Sequence, residues 1–276
     1  MKTYDAKDIR NVLLVGHGGS GKTTLLEAMM FTAGAITRMG TVEDGNTVSD
    51  HDPDEQRKGI SVSLSMAPIE WQGVKINVLD APGYADFIAE ARAAMRVADL
   101  AVFVVSAVEG LEVQTQVAWN YAEQLNLPRM FFINKADREN SSFRRTFDQL
   151  RDAFGIGVAP LSLPLGREHE FRGVISVIDE TAFGYDAQGK PTEEPVPDDR
   201  KARLEEVRTA LLDSVAETSD ELLEKYLGGE ELSFDEIRLA IRKATIAGQM
   251  VPVLCGASFK NKGVQALLDA VIDYLP

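Results

Sequence analysis

The sequence predicts an α/β fold: a mostly parallel, doubly wound sheet with one antiparallel hairpin strand and an inserted α+β subdomain. Three observations predict it. Continuous apolar runs of strand length recur at residues 11–15, 100–106 and 129–134, as strands buried on both faces require. Segments of helical spacing lie between them, and strand–helix alternation is satisfied by a parallel sheet covered on both sides. The alternation breaks near Ala159 and resumes at Met250, which marks an insertion.

Taken in order, residues 11–15 (NVLLV) are the first strand, and a helix runs from Lys22 to about Ala33 after a glycine-rich turn. Residues 37–58 are polar, acidic and irregular, and a loop of that length in a compact domain is functional or disordered. Residues 60–71 and 74–80 flank Gln72-Gly73 and predict an antiparallel hairpin. Helices are predicted over 86–97, 112–125 and 142–154, alternating with the strands 100–106 and 129–134. Short strand-like pieces fill 161–179, and 188–197 reads as a Pro- and Glu-rich connector. Leu204, Val207, Leu211 and Val215 stripe one face of a following helix. Thr218 with Glu221 and Ser233 with Glu236 match capping boxes. Residues 250–254 form a last strand, and Val264, Leu267, Leu268, Val271, Ile272 and Leu275 stripe a last helix. The expected division is residues 1–157 and 250–276 for the α/β domain and 158–249 for the insertion.

Composition excludes several classes. Of 276 residues, 45% are hydrophobic and 26% charged, enough apolar chain to bury a core. The net charge of −14 argues against bulk electrostatic gripping of nucleic acid. Cys255 is the single cysteine, so no internal disulfide forms, and a reducing compartment fits. The longest apolar run, 100–108, is far short of the roughly 20 residues of a membrane helix. Residues 1–10 are polar and carry no secretory pattern. The expectation is a soluble cytoplasmic protein with no membrane partner.

Gly16-His17-Gly18-Gly19-Ser20-Gly21-Lys22-Thr23 fits G-x-x-x-x-G-K-[ST] between a strand and a helix, the context that separates a phosphate loop from a chance glycine-rich turn. Its backbone N–H groups and the helix N-terminus, with Thr24, would cradle phosphates. Lys22 would reach the β- and γ-phosphates, and the Thr23 hydroxyl would bind Mg²⁺. Within this loop the backbone of His17 matters more than its ring. Asp80-Ala-Pro-Gly83-Tyr84 ends a strand. A carboxylate there can hold a Mg²⁺-bound water, and Gly83 can bring its N–H to a γ-phosphate. Alone, D-x-P-G is as readily a plain turn.

Asn134-Lys135-Ala136-Asp137 follows the strand RMFFI. The Asp137 carboxylate can accept from the N1–H and N2–H₂ edge of guanine, a donor pair adenine lacks; an unpaired buried acceptor costs on the order of 1–3 kcal/mol. The stem of Lys135 could cover the base. Gly256-Ala257-Ser258 after the last strand could give a backbone N–H to the guanine O6, or be only a strand-to-helix turn. His51 and His169 read as surface residues, Cys255 as a buried structural thiol, and no Cys/His cluster suggests zinc.

In this order the motifs, with residues 222–232 (LLEKYLGGEEL) and 259–276 (FKNKGVQALLDAVIDYLP), give a chain that resembles the GTP-binding domain of bacterial elongation factor G and its paralogues, the elongation factor G-like proteins. The resemblance covers nearly the whole sequence. It implies a P-loop GTPase fold, GTP and GDP as ligands, Mg²⁺ as cofactor, the ribosome as partner, and a longer factor of which this chain is one domain. Four departures point to the paralogue branch. The family's D-T-P-G-H ends here in Tyr84, where the histidine would orient the attacking water. Its R-G-I-T reads Lys58-Gly59-Ile60-Ser61, and Ser61 keeps a hydroxyl for Mg²⁺. Its P-loop aspartate is Gly19, and its G-S-A-F-K is permuted to G-A-S-F-K.

Tyr84 keeps two readings open. A phenol with pKa about 10 is a poor general base, which allows a GTP-binding switch or scaffold that does not hydrolyse. Alternatively the ring only packs against the switch. With Tyr84 in doubt, Lys22 and Gly83 are the remaining catalytic candidates. An ATP-dependent enzyme is the third reading, and Asn134 and Asp137 argue against it.

Overall fold

The computed structural model describes residues 3–49, 52–155, 157–186 and 188–274; His51 and Leu275 lie outside them. The elements in chain order are β1 (Ile9–Val15), α1 (Lys22–Thr32), α2 (Pro53–Lys58), β2 (Ser65–Trp71), β3 (Val74–Asp80), α3 (Ile88–Met95), β4 (Leu100–Ser106), α4 (Val113–Gln124), β5 (Arg129–Asn134) and α5 (Phe143–Phe154). Then come β6 (Val158–Pro160), β7 (Ser162–Leu165), β8 (Gly173–Ser176), β9 (Thr181–Tyr185), β10 (Pro191–Glu194), α6 (Asp198–Ala216), α7 (Asp220–Leu227), α8 (Phe234–Ile246), β11 (Val251–Cys255) and α9 (Val264–Tyr274).

A seven-stranded sheet runs β2-β3-β1-β4-β5-β11-β6, and only β2 is antiparallel. The hairpin turns at Gln72 and Gly73, both at positive φ, as a primed two-residue turn needs. Each central strand is apolar on both faces because helices cover both. In β1, Val12 and Leu14 enter one core with Leu25 and Met29 of α1, while Leu13 and Val15 enter the other with Phe103 and Phe131. Trp119 stacks on Phe131 there, with centroids 5.2 Å apart.

The chain leaves this sheet after β6 and returns at β11. Between them lie a four-stranded antiparallel sheet, order β10-β9-β8-β7, and the helices α6 to α8. The insertion counted from residue 158 thus gives its first strand to the large sheet. The fold is the expected α/β architecture with an antiparallel α+β insertion.

Three local expectations are corrected. Residues 37–58 are not all irregular: Asp52 caps α2, with Glu55 completing a capping box and Pro53 at the first helical position. Within the connector 188–197, β10 pairs antiparallel with β9 as an edge strand, where Pro191 is tolerated. The cap of α7 is Ser219, which accepts the Leu222 N–H, because Thr218 donates instead to the Val215 carbonyl of the preceding helix. The Ser233–Glu236 box is present at α8.

Candidate functional site

Four of the parallel strands, β1, β3, β5 and β11, end on the same edge of the large sheet, the edge where open α/β sheets bind ligands. The segments following β1, β5 and β11, together with the Gly83-Tyr84 turn, wall a cleft of about 750 Å³. It is lined by Gly18, Gly19, Gly21, Lys22, Thr23 and Thr24 from the glycine-rich loop, by Gly83 and Tyr84, by Asn134, Lys135 and Asp137, and by Ser258. Ser61 lines it too, next to Thr23. Gly16, His17, Ser20, Asp80, Gly256 and Ala257 do not line it; they build its floor and frame.

The loop before α1 is shaped for an anion. Gly21 holds the N-cap position at φ 94°, and no side chain caps the helix. The N-terminal N–H groups and the positive end of the helix dipole therefore face the cleft. A Cβ at Gly16 would collide with the Val104 carbonyl, and one at Gly21 with the Asn134 amide. Lys22 is buried, and its Nζ donates to the carbonyls of Gly16 at 3.1 Å and His17 at 3.0 Å. Burial pulls its pKa down to about 8, against the opposing pull of Asp80 and Glu112. His17 turns its ring away, with Nε2 3.3 Å from Glu112 Oε1.

Three oxygens meet beside Lys22. Thr23 Oγ1 donates to Asp80 Oδ2 at 2.7 Å and lies 3.1 Å from Ser61 Oγ. Asp80 is buried at the end of β3. Two hydroxyls and a carboxylate are hard donors suited to Mg²⁺, a cation that keeps few protein ligands and takes the rest from phosphate and water. The donor set therefore fits Mg²⁺ completed by a ligand's own oxygens.

Gly83 and Tyr84 lean on the same loop. A Cβ at Gly83 would strike Lys22 Nζ and lie 2.7 Å from both the Gly16 carbonyl and the Gly18 nitrogen. A Cβ at Gly18 would lie 2.7 Å from the Tyr84 ring carbon Cζ. The Tyr84 ring thus lies against the glycine loop.

At the other end, Asn134 is a clasp. Its Nδ2 donates to the Ser20 carbonyl at 3.0 Å and its Oδ1 accepts the Ser258 N–H at 3.0 Å. The Gly256 and Ala257 N–H groups donate to the carbonyls of Ile133 and Lys262. All three N–H groups proposed for a guanine carbonyl have internal partners, and only the Ser258 residue lines the cleft. Asp137 is buried with Oδ2 3.1 Å from Lys260 Nζ. Lys135 sits at φ 61° with Nζ 3.7 Å from Glu109. Cys255 is buried beside Ser162, and burial pushes its thiol up to about 12.

Sequence reasoning missed two buried carboxylates that hold the loop opposite. Glu27 accepts the N–H groups of Gly40 at 2.7 Å and Val48 at 2.5 Å. Glu55 accepts those of Val62 at 2.8 Å and Ser63 at 3.1 Å, beside Ser61. Each left a signal: an acid inside the apolar run LLEAMM, and the D-x-x-E spacing of a capping box. Lys260 and Phe259 at the cleft were also unassigned.

A family model for the elongation factor Tu GTP-binding domain matches residues 7–276. The chain belongs to the elongation factor Tu GTP-binding domain family. Members of this family are GTPases. A crystal structure of a protein from Thermus thermophilus matches with a TM-score of 0.93 at 38% identity, over 98% of this chain and 41% of that one. The chain thus spans about two fifths of that longer protein. Among the described residues, no helix is long and apolar enough to cross a membrane.

Proposed function

We propose that this chain is the guanine-nucleotide-binding domain of an elongation factor G-like translational GTPase. Residues 1–157 and 250–276 make the GTPase domain and 158–249 its insertion, and the whole acts in the cytoplasm, at the ribosome, as part of a longer protein. The observation that carries the reading is the meeting of Lys22, the Thr23–Asp80–Ser61 oxygens, Asn134 and Asp137 around one cleft of about 750 Å³.

In this reading the α1 N-terminus, residues 16–24 and Lys22 bind the phosphates. Thr23, Ser61 and, through water, Asp80 would hold Mg²⁺, which would supply charge neutralisation at the phosphates. Asp137 accepts the guanine N1–H and N2–H₂ pair, and Lys135 covers the base. Gly83 carries its N–H toward the γ-phosphate, and Ser61 and Gly83 sense its presence. Hydrolysis is an in-line attack by water, slow in this chain alone because no imidazole occupies position 84.

Calorimetric titration with GTP, GDP and ATP, with and without Mg²⁺, tests the reading. Micromolar affinity for the guanine nucleotides and none for ATP is the expected outcome; equal affinity for ATP overturns the base assignment. A second reading, a switch that binds GTP without hydrolysing it, rests on the phenol of Tyr84, a poor general base where an imidazole would orient water. Tyr84→His in the full-length factor separates the two. A many-fold rise in ribosome-stimulated hydrolysis means that position 84 limits turnover. Wild-type hydrolysis already as fast as that of a histidine-bearing relative removes the switch reading.

A further inference from the structure

A second cleft, of about 770 Å³, lies on the far side of the loop that carries Asn134 to Asp137, between the large sheet's domain and the insertion. Its apolar lining comes from Ala136, Phe143, Leu163 and Pro164. Its charged lining comes from Arg144 on α5, Arg167 before β8, and Arg200 and Arg203 on the first turns of α6. Four arginines face two carboxylates there, Glu168 and Asp199, on a chain whose net charge is −14. Both carboxylates are engaged: Glu168 accepts the Asn140 N–H at 2.8 Å, and Asp199 lies 3.2 Å from Arg200.

The arginines are held loosely. Arg144 reaches Asp148 at 3.8 Å and Arg203 reaches Glu206 at 2.7 Å, both exposed pairs within one helix. Such pairs are worth little and exchange readily for a better acceptor. Arg167 is exposed and makes no ion pair among the described residues. Its guanidinium, like the others, can take a carboxylate bidentately.

We propose that this cleft docks an acidic peptide segment of a partner protein, with an apolar side chain seated on Phe143, Leu163 and Pro164 and its carboxylates on the arginines. Charge complementarity selects the occupant: this positive, concave patch on an acidic surface attracts acid and repels further basic protein. An apolar floor suits a side-chain anchor in a pocket better than a phosphate backbone, which binds along open rows of cations.

The test is fluorescence anisotropy of the intact chain with a short fluorescein-labelled peptide in which glutamates flank two phenylalanines. Expected is saturable binding that weakens about tenfold in Arg167→Glu/Arg203→Glu and in about 0.5 M salt. Replacing the phenylalanines of the peptide by alanine also weakens it, by about fivefold. Unchanged GDP affinity in the arginine variant shows that the fold and the first cleft are intact. Absent binding, binding indifferent to the charge reversal, or binding of a single-stranded RNA oligomer with none of the peptide overturns the proposal.

Discussion

The two ends of the proposed nucleotide cleft are built on opposite principles. At the base end, Asn134 ties the Ser20 carbonyl to the Ser258 N–H, and both bonds are internal to the fold. At the phosphate end, the polar groups occupy one another: Lys22 bonds its own loop's carbonyls, Thr23 bonds Asp80, and Gly83 and Tyr84 crowd the glycines. The first arrangement is a finished mould. The second is a set of contacts that a ligand replaces, because each has a stronger charged partner in a phosphate or a cation. In the proposed reading the frame of the base end is thus prepaid in folding, although Asp137 must still trade Lys260 for the base, whereas the whole phosphate end is an exchange.

Lys22→Ala should break the phosphate end most severely. Removing a buried ammonium from a charge-assisted contact costs about 3 kcal/mol, on the order of 100-fold in GDP affinity, measured by calorimetry with circular dichroism as a check on folding. Asn134→Ala attacks the other end, and there the loss should be in stability. It leaves the Ser20 carbonyl and the Ser258 N–H unpaired at about 2 kcal/mol together, which lowers Tm by roughly 4–8 °C on a chain of this size.

Asp137→Ala sharpens the contrast by removing discrimination. Wild type should prefer guanosine to inosine diphosphate about tenfold, since inosine lacks the amino donor, and the variant should show no preference.

The pH dependence follows from Lys22. Its pKa is about 8 in the fold against 10.5 for an unburied lysine. Between these values the unfolded chain holds more protons, so the ligand-free protein gains stability as pH rises through that window. Phosphate binding needs the ammonium, so GDP affinity should fall as pH passes about 8, with proton uptake visible as a buffer-dependent binding enthalpy. Affinity that stays flat to about pH 10, near the ordinary lysine value, would overturn the lowered pKa of ligand-free Lys22.

The smallest change belongs to Tyr84→Ala. It takes an aromatic ring off Gly18, a contact of order 1 kcal/mol, and should raise phosphate affinity by less than tenfold.

Legibility in the sequence followed the same division. Strands such as β4 and β5 were legible because burial on both faces leaves an unbroken apolar run. The glycine loop was legible because its geometry excludes side chains, as the collisions at Gly16 and Gly21 make plain. The cap at Ser219 was missed because adjacent Thr218 offers the same hydroxyl, and only the end of α6 decides which one is free. β10 was missed because an edge strand needs only one partner and can carry Pro191 and glutamates. Asn134 read as part of a base-recognition motif, whereas its tie to Ser20 and Ser258 joins residues more than a hundred positions apart, a distance no local pattern spans.

The loop from Asn134 to Ser142 has a cleft on each side. Lys135, Asp137, Arg138 and Asn140 face one, and Ala136, Ser141 and Ser142 face the other. Ser141 donates to the Ala136 carbonyl at 3.0 Å, and Arg145 donates to the Asn140 carbonyl at 3.3 Å, so the two faces of the wall are tied together. A partition of this kind obeys thermodynamic reciprocity. Whatever factor an occupant of the arginine cleft imposes on nucleotide affinity, the nucleotide imposes the same factor on that occupant.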